Sequence, residues 1–113
     1  MKLPNAGRAM IPVEKLRDYL LSPDSEEGRS KAAFLESLGY TKNEWSVLDS
    51  HLRSQILPLD AEEVAPTKYG RKFIIRGLLT GPTGGTGPFV TVWMIPVGND
   101  VPRFVTGYPD KSR

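Results

Sequence analysis

No cysteine occurs in the 113 residues, and histidine occurs once, at His51. The first absence excludes disulfides, thiolate nucleophiles and cysteine-ligated metals, and the second excludes a histidine-rich metal centre. No clustered acidic motif points to a carboxylate metal site, so neither a metal nor another cofactor is expected. No stretch approaches the roughly 20 apolar residues that a membrane-spanning helix needs. The first residues also lack the basic-then-apolar order of a secretory signal. These absences lead to the expectation of a soluble, cytoplasmic chain with no membrane partner. With 39% hydrophobic and 25% charged positions, a chain this short holds one substantial core, so residues 1–113 are expected to form a single domain.

What is present is unevenly distributed. Residues 1–66 hold eight Lys/Arg against eleven Asp/Glu, whereas residues 67–113 hold seven (Lys68, Arg71, Lys72, Arg76, Arg103, Lys111, Arg113) against only Asp100 and Asp110. A basic half suits a polyanion such as RNA, although a solvated basic face without such a role has the same composition.

Helical periodicity fills residues 1–58 and strand character fills 60–109, with no internal repeat. This predicts an α+β domain with two or three N-terminal helices on one face of a three- to four-stranded antiparallel sheet. Pro12 suits the first turn of helix one, whose stripe is Leu16, Tyr19 and Leu20, and Ser22-Pro23-Asp24 ends it. Helix two is expected from Asp24 or Ser25, with Gly28 able to delay it, Ala32, Phe34, Leu35 and Leu38 buried, and Gly39 as the stop. Thr41-Lys42-Asn43-Glu44 reads as a capping box ahead of helix three, with Trp45, Leu48, Leu52 and Ile56 on one face before Pro58. Strands are expected over 62–67, 71–80, 89–97 and 103–108. The glycine-rich stretch 81–88 is expected as a hairpin connection. It lacks the lysine and hydroxyl residue of a P-loop, and no helix follows it, so it is not read as a phosphate cradle.

Strict alternation along the last strand would set Phe104, Thr106 and Tyr108 on one face and Arg103, Val105 and Gly107 on the other. On an open sheet face, Thr106 and Tyr108 offer hydroxyl donors to a phosphate, and Arg76 or Arg103 offers a guanidinium. The competing reading has Tyr108 packing the sheet, Thr106 filling a β-preferred position and Arg103 blunting an edge. Gly28-Arg29-Ser30-Lys31 is a second anion-binding candidate, with cations beside exposed helix-start amides. Its alternative is a solvated face on which Lys31 pairs with Glu27. His51 borders the helix-three stripe and reads as packed or surface rather than as a base. Trp93 and Met94 read as core residues, Trp45 as part of the helix stripe, and Asp60-Ala61-Glu62-Glu63 as a solvated loop.

A resemblance adds to this. Leu3-Pro4-Asn5-Ala6, the run from Ile11 to Leu21, Gly28-Arg29-Ser30-Lys31-Ala32, Leu38-Gly39-Tyr40, Val90-Thr91-Val92-Trp93 and the run from Arg103 to Pro109 together resemble a bacterial domain family of unknown function, over nearly the whole chain. The order of elements, with Gly-x-Ser-Lys ahead of a helix and a closing Arg-x-x-Thr-x-Tyr-Pro, is similar to the RelE/EndoU/barnase/colicin-type fold of metal-independent ribonuclease toxins. That likeness implies that Lys31 or Arg29 is a phosphate or acid/base group from the helical side. It implies that Arg103, Thr106 and Tyr108 line the sheet side. The expected catalytic groups are therefore Lys31, Arg103, Thr106 and Tyr108, and the expected substrate-binding groups are Arg29 and Arg76. The chain departs from many such toxins in having no histidine near Ser30. The implied activity is RNA cleavage by 2′-hydroxyl transesterification, with a small antitoxin or immunity-type protein as partner. The alternative is a non-catalytic RNA-binding or protein-interaction module.

Overall fold

The structure, a computed structural model, describes residues 1–22 and 29–111. Two helical segments carry leucine or isoleucine four and five positions apart, and both begin as α-helix and widen into a π segment. Helix α1, Val13–Lys15, runs into the π segment Leu16–Leu20, closed by Leu21 N–H donating to the Leu16 carbonyl at 2.9 Å. The wider turn lets Leu16, Leu20 and Leu21 all reach the interior. Helix α3, Trp45–His51, repeats the device through Leu52–Ile56, burying Leu52, Ile56 and Leu57. Between them lies α2, Arg29–Ser37, which buries Ala32 and Leu35. The start expected for this helix at Asp24 or Ser25, and Gly28 with it, lies outside the described residues.

The Thr41 capping box does not form. A 3₁₀ turn, Lys42–Glu44, precedes α3, and Thr41 makes no side-chain cap. The tighter turn sends the Glu44 N–H to the Thr41 carbonyl, at 3.2 Å, rather than to its hydroxyl.

Four antiparallel strands follow in chain order across one sheet: β1 Ala61–Glu63, β2 Gly70–Thr80, β3 Thr86–Pro96 and β4 Arg103–Pro109. The α+β class, with helices first and an antiparallel sheet after, is therefore as the periodicity predicted. Two boundaries differ by more than one residue. Thr86, Gly87 and Pro88 belong to β3, paired with Thr80, Leu79 and Leu78, because the long hairpin arms keep pairing past the point where composition turns loop-like. Strand β1 ends at Glu63, and Thr67 instead closes a tight turn onto Gly70. Gly70 has φ +147°, and a Cβ there would sit 2.1 Å from the Ile95 carbonyl, so that turn demands glycine.

Phe73, Ile75 and Leu79 of β2, Phe89, Trp93 and Ile95 of β3, and Phe104 of β4 join the helices' leucines in one core. Trp93 is fully buried, meets Phe104 edge-to-face at 5.2 Å, and donates its Nε1–H to Thr91 Oγ1 at 2.8 Å. Phe34 of α2 stacks on Phe89 at 5.8 Å, which docks α2 beside the β4 end of the sheet. The opposite sheet face carries rows set by register: Lys72, Met94 and Arg103; Ile74, Val92 and Thr106; Arg76, Val90 and Tyr108.

Those rows overturn the strict alternation expected for β4. The register shifts between Val92 and Trp93, so that Phe104 pairs with Trp93 but Thr106 pairs with Val92, leaving Val105 as the extra residue of a bulge. Phe104 and Gly107 turn to the core, with Gly107 so close to the Phe89 ring that a Cβ would lie 2.7 Å from it. Arg103, Thr106 and Tyr108 share the outer face.

Candidate functional site

Strand β4 is a sheet edge, and its two halves are covered differently. Met10 pairs with its start, donating to the Pro102 carbonyl and accepting from Phe104 N–H, each at 2.9 Å. Beyond Phe104 the neighbours are side chains. Lys15 Nζ donates to the Val105 carbonyl at 3.0 Å. Lys31, in the first turn of α2, reaches across to the strand and donates to Thr106 Oγ1 at 3.2 Å and to the Tyr19 hydroxyl at 2.5 Å. Its ammonium also lies 4.7 Å from the centre of the Tyr19 ring. Three elements distant in sequence thereby fix one ammonium at the surface: the π segment after α1, the start of α2, and the outer face of β4.

Two open hollows share Lys31. One, of about 450 Å³, is lined by Glu14, Lys15, Tyr19, Lys31, Val105 and Thr106. The other, of about 460 Å³, is lined by Ser30, Lys31, Arg76, Tyr108 and the Pro109-Asp110-Lys111 segment. Arg76 and Tyr108 flank Val90 in one row of the sheet, and Arg76 Nη1 lies 3.5 Å from the buried carboxylate of Asp110. This long approach holds the guanidinium near the hollow and leaves it about half exposed. The two hollows thus present cations and hydroxyls together, a set that can hold a phosphodiester and stabilise added negative charge on it.

Of the residues singled out from sequence, Lys31 and Thr106 meet directly, and Lys31, Arg76 and Tyr108 line one hollow. Arg103 stands apart. It lies three residues before Thr106, roughly 10 Å along the strand, and lines another hollow with Lys15, Tyr69 and Met94. Arg29 opens α2 as an exposed residue whose side chain has no hydrogen bond or ion pair among the described residues. The Glu27 partner considered for Lys31 lies outside the described residues. Glu14, Lys15 and Tyr19 were missed as site residues. Tyr19 was assigned to the apolar stripe by its spacing, and the signal that it does more is its hydroxyl at the end of that stripe.

His51 is engaged elsewhere. Its Nδ1 lies 2.7 Å from the hydroxyl of Tyr40, whose oxygen is also 3.1 Å from the Thr80 carbonyl. All three atoms are satisfied when Tyr40 donates to Thr80 and His51 donates to Tyr40. Burial pushes the Tyr40 phenol up to about 12 from its ordinary 10.0, because the charged phenolate is disfavoured away from water. Asp60 pairs with Lys2 at 3.4 Å, and Glu63 pairs with Arg71 at 2.8 Å. The hydrogen bond from Arg71 holds the Glu63 carboxyl below the usual carboxylate range. Among the described residues, no three His, Asp or Glu side chains gather as a metal-binding group, and no helix is long and apolar enough to cross a membrane.

The family model for a domain of unknown function, DUF6883, matches residues 2–111, and the chain belongs to that family. No curated protein matches the sequence. Among solved structures, one chain of a contact-dependent growth inhibition toxin–immunity protein complex from Klebsiella pneumoniae 342 is similar. It has a TM-score of 0.66 at 18% identity, covering 89% of this chain and 99% of that one. At that identity the likeness is one of fold.

Proposed function

We propose that the chain is a ribonuclease-type toxin domain that cleaves RNA by attack of a ribose 2′-hydroxyl on the adjacent phosphate. The observation that carries this reading is the Lys31 ammonium, held by the Tyr19 and Thr106 hydroxyls on an open surface that also bears Arg76 and Tyr108. The fold shared with a chain of a toxin–immunity complex supports a role in such a system, on its toxin or its immunity side, and the basic second half of the chain supports a polyanionic substrate. An immunity-type protein is then the expected protein partner.

In the proposed reaction a P–O2′ bond forms and the P–O5′ bond breaks, leaving a 2′,3′-cyclic phosphate and a 5′-hydroxyl end. Glu14, the carboxylate lining the hollow beside Lys31, takes the 2′-hydroxyl proton. Lys31 and Arg76 stabilise the charge that builds on the non-bridging phosphate oxygens. The Tyr108 hydroxyl supplies the proton that the departing O5′ requires, and exchange with water resets both groups. Thr106 and Tyr19 act by positioning Lys31.

Incubating the purified chain with RNA in excess chelator tests this. Cleavage fragments ending in cyclic phosphate are expected. RNA that stays whole while still being retained by the protein would replace the enzyme with a non-catalytic RNA-binding module.

A further inference from the structure

The hollow at the start of β4 has no part in that chemistry, and its composition differs from that of the other two. Its lining includes Pro12, Lys15, Tyr69, Met94, Arg103 and Phe104, around about 430 Å³. That volume lies within the roughly 300–1,000 Å³ of pockets that hold small organic ligands. Tyr69 is 67% exposed at the tip of the β1–β2 connection. Its position is nonetheless pinned: Val97 N–H donates to its carbonyl at 3.0 Å, its own N–H donates to Thr67 Oγ1 at 3.1 Å, and the turn is locked at Gly70. An exposed ring on a fixed backbone loses little conformational freedom on binding. One aspect of that ring already faces a cation, with Lys68 Nζ 5.2 Å from its centre.

Charge surrounds this apolar floor. In the sheet register Met94 lies between Lys72 and Arg103, flanked by cations on both neighbouring strands. Among the described residues the Arg103 side chain has no hydrogen bond or ion pair. Lys15 and Val105 line this hollow and the one beside Lys31, so the two adjoin along β4. An aromatic ring and a thioether surface rimmed by cations match a nucleotide, whose base stacks while its phosphates meet charge.

The geometry points to the Tyr69–Met94–Arg103 hollow as a stacking subsite for a base flanking the scissile phosphate of single-stranded RNA, with Arg103 on that nucleotide's phosphate. This rests on the reading of the chain as RNA-directed, and it extends the site along the strand from Lys31. Arg103 is then a substrate-binding group rather than one that touches the reacting atoms.

The test is fluorescence anisotropy with a non-cleavable 2′-O-methyl RNA of roughly eight nucleotides, a length within the span of small single-strand-binding domains. Tyr69→Ala is expected to weaken binding roughly 5- to 150-fold, the range for loss of one stacked base, and Tyr69→Phe to restore it. Arg103→Ala is expected to flatten the salt dependence by about 0.7 in log–log slope, the single-strand value for one phosphate. Unchanged affinity in Tyr69→Ala, or no binding of the oligomer by the native chain, overturns the subsite. If Tyr69-dependent binding persists in a protein that cleaves no RNA, the subsite stands and the nuclease reading falls. Normal cleavage with Tyr69-independent binding has the opposite meaning.

Discussion

Two polar clusters tie the helices to the sheet, one at each side, and they are built from similar parts to different ends. At the β4 side, Lys31 joins Tyr19 and Thr106 beside open hollows. At the β2 side, His51 joins Tyr40 and the Thr80 carbonyl, with Tyr40 only 2% exposed. Each cluster brings a tyrosine hydroxyl, a basic side chain and a strand oxygen together. The tyrosine separates them: Tyr40 is buried, whereas Tyr19 is half-buried and lines an open hollow. A buried hydroxyl contributes to stability because it would otherwise be left unpaired, whereas groups on an open hollow can exchange their internal partners for a ligand's.

Substitutions sharpen that contrast. On the proposed ribonuclease reading, the largest effect is expected from Lys31→Ala, which should lower RNA cleavage by on the order of 10²–10³ while changing unfolding free energy by no more than about 1 kcal/mol. Single-turnover kinetics and urea denaturation on the same preparation would show it. A large stability loss instead would make Lys31 a structural residue and erase the distinction between the clusters.

Tyr40→Phe should do the reverse, costing about 1 kcal/mol, the net worth of a hydrogen bond, because the exposed Thr80 carbonyl still accepts from Gln55 Nε2 at 2.9 Å, with cleavage unchanged. Its pH signature is separable. The folded-state pKa lies above the ordinary value, so the stabilisation is fully present below about pH 10 and is lost as pH rises through about 12. The native chain should therefore lose stability across that window more steeply than Tyr40→Phe in denaturant titrations.

The smallest effect belongs to the surface pairs. Arg71 and Glu63 are bonded through two hydrogen bonds, of 2.8 and 2.9 Å, but both are substantially exposed. Glu63→Gln should leave cleavage and the thermal midpoint within experimental scatter, since solvent screens such pairs. A shift as large as that of Tyr40→Phe would show that exposure is not what distinguishes the two kinds of site.

The elements themselves were legible because they follow local periodicity: leucines four apart before Pro58, and apolar runs separated by turn residues. Much of the candidate site was legible as residue types, in Lys31, Thr106, Tyr108 and Arg76. Their grouping was less so. The bulge at Val105 is invisible in the strand that carries it, because it is a register shift against Val92 and Trp93 of the neighbouring strand. It reverses which face Arg103 shares with Thr106 and Tyr108. Tyr19 was hidden for a similar reason, since helical spacing describes its ring and not where its hydroxyl ends.

The amino-acid sequence by itself determined the α+β class, the helix-then-sheet order, and the basic character of the second half, because these depend on period and composition summed over many residues. Only the tertiary structure decided which polar side chains meet. Such meetings depend on single-residue register, on a π turn's extra width and on how α2 seats against the β4 edge, and none of these leaves a periodic trace in the chain.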